Sequence, residues 1–216
     1  MGLEKEETCQ VKGGLRERKK LQTRDRLISA ALELCDSQGF DATTVEQISD
    51  AADISPRTFN RYFATKEDVI LAPAEDMIAA MAAALDAQPR TDNEFQALVN
   101  AQMQILGGEC PTGSVDLSRF ETMNRIIQSA PSVSGRNTEL AERKYRSITD
   151  KVAERMGLPA DDPQVRVTVG LYMSLVHISM DAWRCGQSSG DAADSAVAAQ
   201  TLAATYETFR EVVKNV

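Results

Sequence analysis

TTVEQISDAADISPRTFNRYFATK, residues 43–66, contains two helix starts, a tight turn and a third start. Thr43 followed by Glu46 has the spacing of a capping box and predicts a helix that begins here. Val45, Ile48 and Ala52 recur at helical spacing and give that helix one apolar face. The face ends at Asp53, a residue able to take the left-handed conformation that a sharp turn requires. Ser55 and Pro56 then supply a serine cap and a proline for the first helical position. The helix they open, residues 56–63, is short. Its Phe59 and Phe63 lie four apart and can lock onto the preceding helix, which leaves Arg57, Thr58, Asn60 and Arg61 facing elsewhere. A short rigid helix offering arginine, threonine and asparagine has the shape that enters a DNA major groove.

Upstream, LRERKKLQTRDR at residues 15–26 leads into a first helix carrying Leu27, Ile28, Ala31, Leu34 and Cys35. Gly39 stands where a left-handed C-cap belongs, and Phe40 folds back on the helix end. The three helices share a small core. Residues 1–14 carry mixed charge and little apolar material and are read as a disordered tail. The division expected is therefore a tail at 1–14, a helix-turn-helix DNA-binding domain at 15–66, and a second domain at 67–216.

Downstream, every element reads as helix. Thr65 and Asp68 cap a fourth helix that runs to about Pro89, with a kink or early break expected near Pro73. Thr91 and Glu94 open a fifth. GGECPTGS, residues 107–114, is loop. A sixth helix covers about 115–129 and a seventh about 134–156, closed by Gly157 and Pro159. An eighth, from Asp162–Pro163 to Cys185, is apolar nearly all round and is therefore expected to be buried on all sides. A ninth starts at Ser189–Gly190–Asp191 and is rich in alanine. The fold class is all-α, about nine helices.

Charge is distributed unevenly. The net charge is −8, yet residues 15–66 hold nine basic and eight acidic side chains. The negative excess lies after Lys66, with 13 basic against 21 acidic. A neutral-to-basic head on an acidic body suits a DNA-binding module joined to something else. There is no run of 18 apolar residues and no signal-peptide core, so a cytoplasmic protein without a membrane span is expected. The four cysteines, Cys9, Cys35, Cys110 and Cys185, are far apart and read as free thiols, with oxidation sensing at Cys110 the lesser alternative. No metal site or cofactor is expected.

The stretch from about Thr23 to Val69 resembles the tetracycline-repressor (TetR) family of bacterial transcriptional regulators. The resemblance is carried by Thr23–Arg24, Ala30–Ala31, Gly39–Phe40, Thr43–Val45, Ile48, Ala51–Ala52, Ile54–Ser55, Thr58–Phe59, Tyr62–Phe63 and Lys66–Glu67. Two residues depart from the pattern: Asp53 replaces the usual turn glycine, and Arg57 replaces a small residue. The resemblance implies phosphate contacts from Thr44, Tyr62 and Lys66, with Ser55, Pro56, Arg57, Thr58, Asn60 and Arg61 facing bases or their backbone. Arg57 either reads a guanine edge or binds phosphate. Arg16, Arg18, Lys19 and Lys20 either reach the neighbouring minor groove or phosphates, or form a solvated helix start.

The resemblance also implies a ligand-responsive regulator, chiefly a repressor. It would bind a palindromic double-stranded operator as a homodimer joined through helices eight and nine, and would enclose a small-molecule effector in the body. Met77, Met81, Met103, Phe120, Met123, Met173, His177 and Met180 are the candidate effector contacts, against ordinary core packing for the methionines. Their composition favours a hydrophobic or amphipathic effector. Trp183 fits core, pocket or dimer surface. His177 with Asp181 one turn on would suit a general base, but no nucleophile signature accompanies the pair. An enzyme with a DNA-binding head and an effector-independent architectural DNA binder are the other two function classes.

Overall fold

The computed structural model describes residues 4–109, 115–186 and 194–214, with side chains from Gly14 onward. Among the described residues the chain is all-α. The elements are α1 (Glu4–Gln38), α2 (Val45–Ala51), α3 (Pro56–Phe59), α4 (Lys66–Asp86), α5 (Glu94–Leu106), α6 (Leu117–Ser129), α7 (Pro131–Met156), α8 (Pro163–Gly186) and α9 (Ser195–Lys214). No strand occurs among these residues. No helix among them is long and apolar enough to cross a membrane.

Several boundaries moved from their expected places for local physical reasons. The first helix is assigned from Glu4, upstream of the basic stretch. The capping box of α2 is Thr44 with Gln47 rather than Thr43 with Glu46. Thr43 is instead buried, its hydroxyl donating to the Gly39 carbonyl at 2.8 Å. Asn93, not Thr91, caps α5, and it follows Asp92 at a positive φ of 56°. Pro131 sits at the start of α7, where its missing N–H costs nothing, so the helix begins three residues early. Pro73 does not end α4, which continues to Asp86. The expected start of α9 at 189–191 lies outside the described residues. Cys35 is a buried free thiol and Cys185 an exposed one. Cys110 and the Cys9 side chain fall outside the description.

The chain divides into two compact units, one of Met1–Ala72 with Thr122–Arg136 and one of Pro73–Glu121 with Asn137–Val216. The first unit is built on α1, α2 and α3. Leu27, Ile28, Ala31, Ile48 and Phe59 are all but sealed from solvent in its core. The second half of α6 and the first turns of α7 add Met123, Ile126 and Val133 to the buried set. Two ion pairs lie on this addition: Arg125 grips Asp36 through two bonds of 3.1 and 2.9 Å, and Arg136 reaches Asp68 at 2.6 Å.

The second unit is a helical bundle around one apolar cluster that includes Met81, Leu98, Ile105, Val152, Tyr172 and Trp183. α8 packs along α9, and α5 packs on both. A buried ion pair locks one corner. Arg155 and Glu94 are each 4 % exposed, and the guanidinium also donates to the carbonyls of Leu85, Gln88 and Pro89 at 3.0, 3.0 and 2.8 Å. Those carbonyls lie at the end of α4 and just past it, where, among the described residues, only Leu85 O has a backbone partner, Gln88 N at 3.1 Å, so one arginine closes α4, turns the chain and seats the start of α5. Tyr172 donates to the Gln102 side chain at 2.8 Å in the same interior, and burial raises its phenol pKa well above the usual value.

Arg155→Ala strands the Glu94 carboxylate in a dry site and takes the arginine donors from the Gln88 and Pro89 carbonyls. A loss of about 3–5 kcal/mol of unfolding free energy is expected in urea titrations, against a much smaller loss for Arg90→Ala, whose pair with Glu154 is exposed. Asp68 supplies a pH test. Burial would raise its carboxyl, but hydrogen bonds from Arg136 and Thr65 and the Arg136 charge outweigh that and hold it below the usual carboxylate value. A lowered folded pKa stabilises above the unfolded pKa and ceases to do so as pH falls through the folded one. Asp68→Asn should therefore destabilise at pH 7, with the gap from the parent closing at pH values below about 4.

Candidate nucleic-acid interface

The α2–turn–α3 segment is held from both sides. Gln47 closes the capping box: its backbone N–H donates to Thr44 Oγ1 at 3.2 Å, and its side-chain oxygen accepts from Thr44 N at 2.9 Å. Gln38 of α1 bonds both the Thr43 hydroxyl and the Gln47 side chain, at 3.1 and 3.2 Å. Ser49, fully buried, bonds back to the Val45 carbonyl at 2.7 Å, and Ile54 N donates to Ser49 O across the turn. Asp53 takes φ 54° between the two helices, the left-handed geometry its position requires.

Ser55 caps α3: its hydroxyl accepts from Thr58 N at 3.2 Å and shares a hydrogen bond with the Thr58 hydroxyl at 3.0 Å. Regular helix covers only Pro56–Phe59, but Asn60 N→Pro56 O and Phe63 N→Phe59 O carry the helical course to Phe63. Phe59 and Phe63 are 0 % and 6 % exposed, with ring centroids 5.9 Å apart. They anchor α3 as expected, and stacking on bases is closed to them. Arg57, Asn60 and Arg61 are exposed, Thr58 and Tyr62 half-buried, and Ser55, Pro56 and Thr44 exposed. The structure thus brings all the expected recognition residues onto one short, pinned element.

Lys66 occupies a different position from a free surface cation. It is half-buried. Its ammonium donates to the carbonyls of Phe40 and Thr43 and lies 4.0 Å from the centre of the Phe40 ring. Two of its three donors are committed to the loop between α1 and α2, which leaves one for an outside acceptor. Arg16, Arg18, Lys19 and Lys20 are exposed around α1 rather than along one face, with Lys20 3.8 Å from Glu17, and do not form an extended arm.

The candidate effector residues are not gathered in one place. Met77, Met81, Met103, Met173 and Met180 belong to the second unit's apolar cluster or pack against it. Phe120 is half-buried in that unit, whereas Met123 is buried in the first. His177 is out of the interior altogether, with a side chain 75 % exposed and Nε2 3.3 Å from Asp181. Its place on the outward side of α8 explains this, one residue before Ile178, which is 57 % exposed. A groove of about 510 Å³ along α7 is lined by Glu142, Tyr145, Arg146, Thr149 and Asp150 and by none of these eight. Among the described residues no group of three or more histidine, cysteine or carboxylate side chains is placed to hold a metal.

The N-terminal segment matches the family model described as bacterial regulatory proteins, tetR family, over residues 27–72. Over 175 residues the chain is 35 % identical to the HTH-type transcriptional regulator TcmR of Streptomyces glaucescens, covering 79 % of this chain and 76 % of that one. The chain belongs to the TetR family. The fold agrees. Transcriptional regulator FadR of Bacillus subtilis, solved in complex with stearoyl-CoA, superposes with a TM-score of 0.51 at 15 % identity, covering 83 % of this chain and 96 % of that one. A TetR-family chain from Mesorhizobium loti gives 0.51 at 18 % identity, covering 89 % and 96 %. As a TetR-family transcriptional regulator, this protein carries its helix-turn-helix in α2 and α3.

Asp53→Ala should cost roughly 1–2 kcal/mol more than Asp53→Gly, because alanine pays the left-handed penalty that glycine avoids. Thermal melts of the two variants side by side measure the difference.

Proposed function

We propose that this TetR-family regulator is a homodimeric repressor that binds a palindromic operator and releases it when a hydrophobic or amphipathic effector enters its body. The observation that carries the DNA reading is the exposed set Arg57, Asn60 and Arg61 on a helix pinned by two buried phenylalanines. Arginine and asparagine there can make paired hydrogen bonds to purine edges. Thr44, Tyr62 and the remaining Lys66 donor border that helix and suit phosphate, which fixes register. Ser55 and Pro56 shape the helix start and bring its backbone to the DNA, and the α1 cations Arg16, Arg18, Lys19 and Lys20 add sequence-independent attraction. The protein would act in the cytoplasm, where its operator lies.

The dimer reading is supported by α8 and α9. α8 turns Val165, Val169, Tyr172, Leu175 and Trp183 inward, while Val167, Leu171 and Ile178 remain 42–59 % exposed. These three recur at four and seven residues, the spacing of a helix-packing stripe. α9 exposes Val197, Val212 and Val213. Two such faces from two protomers suit a four-helix contact that sets the separation of the two reading heads. Effector release is supported by the adaptable methionine-bearing interior of the second unit. The stearoyl-CoA complex of the fold-related FadR is in line with a ligand of that kind.

Fluorescence anisotropy with a duplex from the gene's own upstream region tests the DNA reading. Arg57→Ala should weaken operator binding by about 1–3 kcal/mol and relax the preference at one base position, whereas Tyr62→Ala should weaken all sequences alike. Equal binding by parent and both variants would refute the docking. Leu171→Glu with Ile178→Glu should give a monomer in sedimentation equilibrium and lose most operator affinity; a dimer that persists would place the interface elsewhere.

A further inference from the structure

The cap of α2 uses a neutral pair, Thr44 with Gln47, where the sequence also offered Thr43 with the acid Glu46. The difference is chemical. A glutamate at that place supplies oxygens alone, whereas a glutamine supplies one oxygen and an NH2 group with two donors. The hydrogen bonds decide which way the Gln47 amide points. Thr44 N donates to Oε1 at 2.9 Å, and Gln38 Nε2 donates to the same oxygen at 3.2 Å. Both partners are donors, so only the oxygen can face them; the reverse setting would put N–H against N–H. Gln38 is held in turn, because its Nε2 also donates to Thr43 Oγ1 at 3.1 Å.

The Gln47 oxygen is thus engaged within the head, and its NH2 group is left over. Gln47 is exposed, and its Nε2 has no partner among the described residues. Two more unused donors lie around the same piece of chain. Thr44 Oγ1 accepts from Gln47 N at 3.2 Å, which leaves its hydrogen free to donate. Lys66 Nζ donates to Thr43 O at 2.6 Å and to Phe40 O, and keeps one N–H. An amide, a hydroxyl and an ammonium therefore border Thr43–Thr44, each with donor capacity that the fold does not use.

We propose that Gln47 is a further DNA contact: its Nε2 donates to the phosphate backbone alongside Thr44 and Lys66, and Gln38 is the positioning residue that keeps the amide oxygen turned inward. This rests on the DNA reading and adds two residues to it. Donors alone, one of them charged, fit the oxygens of a phosphate, which are acceptors alone. A base edge in the major groove mixes donors with acceptors and suits the arginine and asparagine of α3 better. The contact fixes register and carries no sequence preference of its own.

Gln47→Glu separates this contact from the cap. The carboxylate matches the amide in length and keeps both inward hydrogen bonds, so the variant should melt at or above the parent. It loses the outward donors and sets a negative charge beside the phosphate. Fluorescence anisotropy at one fixed salt concentration should show affinity falling about tenfold or more. The fall should be alike on the gene's upstream duplex and on an unrelated duplex, because phosphate is common to both. Gln47→Lys runs the other way: without the capping oxygen it should melt lower, yet bind both duplexes at least as tightly as the parent. Gln38→Ala should weaken both duplexes severalfold in the parent and cost no further affinity beside Gln47→Glu. If Gln47→Glu binds like the parent, or affinity follows melting temperature through the series, Gln47 serves the cap alone and the inference falls. It falls too if Gln47→Glu melts below the parent, since the amide oxygen then does not face inward. A loss confined to the upstream duplex would make Gln47 a base reader and overturn the phosphate contact, and additive losses would remove Gln38 from the account. A parent that binds neither duplex takes down the DNA reading, and this inference with it.

Discussion

The reading head depends on a single ammonium group. Lys66 begins α4, yet its Nζ is spent on the Phe40 and Thr43 carbonyls and rests against the Phe40 ring. Those two carbonyls sit in the bend between α1 and α2, where no helix supplies donors. The lysine therefore joins the end of α1, the start of α2 and the start of α4, with α3 held between them. A helix as short as α3 has almost no stability of its own. Its position comes from Phe59 and Phe63 below and from this clamp beside it. Any base-reading side chain on α3 inherits its accuracy from that fixed frame.

Much of the head was legible in residues 43–66 because the signals there are local. Ser55–Pro56 marks a helix start by its own chemistry, and Asp53 marks the left-handed turn. The phenylalanine spacing gives the buried side, and the two rings are buried together. The capping box slipped by one residue because Thr43 and Thr44 are adjacent and both can cap. Only tertiary contact separates them: Thr43 is drawn inward to Gly39 and Gln38, leaving Thr44 at the cap. The role of Lys66 was hidden for the same reason, since its partners lie 26 and 23 residues away.

The body was legible only in outline. Helix count followed from periodicity, but the burial of α8 on all sides did not hold within one chain: α8 divides into an inward row and an exposed row. The candidate effector residues were picked by type, which cannot say where a side chain points. His177 thus fell on the outward side and Met123 in the other compact unit. Trp183, left open between three roles, is buried with its N–H unpaired. The Arg155–Glu94 lock joins residues 61 apart and left no trace in the local pattern.

On the proposed reading, the two kinds of site are coupled through the spacing of paired heads. The body need only favour one of two arrangements when its ligand is bound, and the difference in affinity sets the response. Hydroxyl-radical footprinting on the upstream DNA of the gene tests this most directly. The account predicts two protected patches on one face of the duplex, centred about 10 base pairs apart, both lost together when effector is added. A single patch, or protection that ignores sequence and shows no periodic spacing, would contradict it.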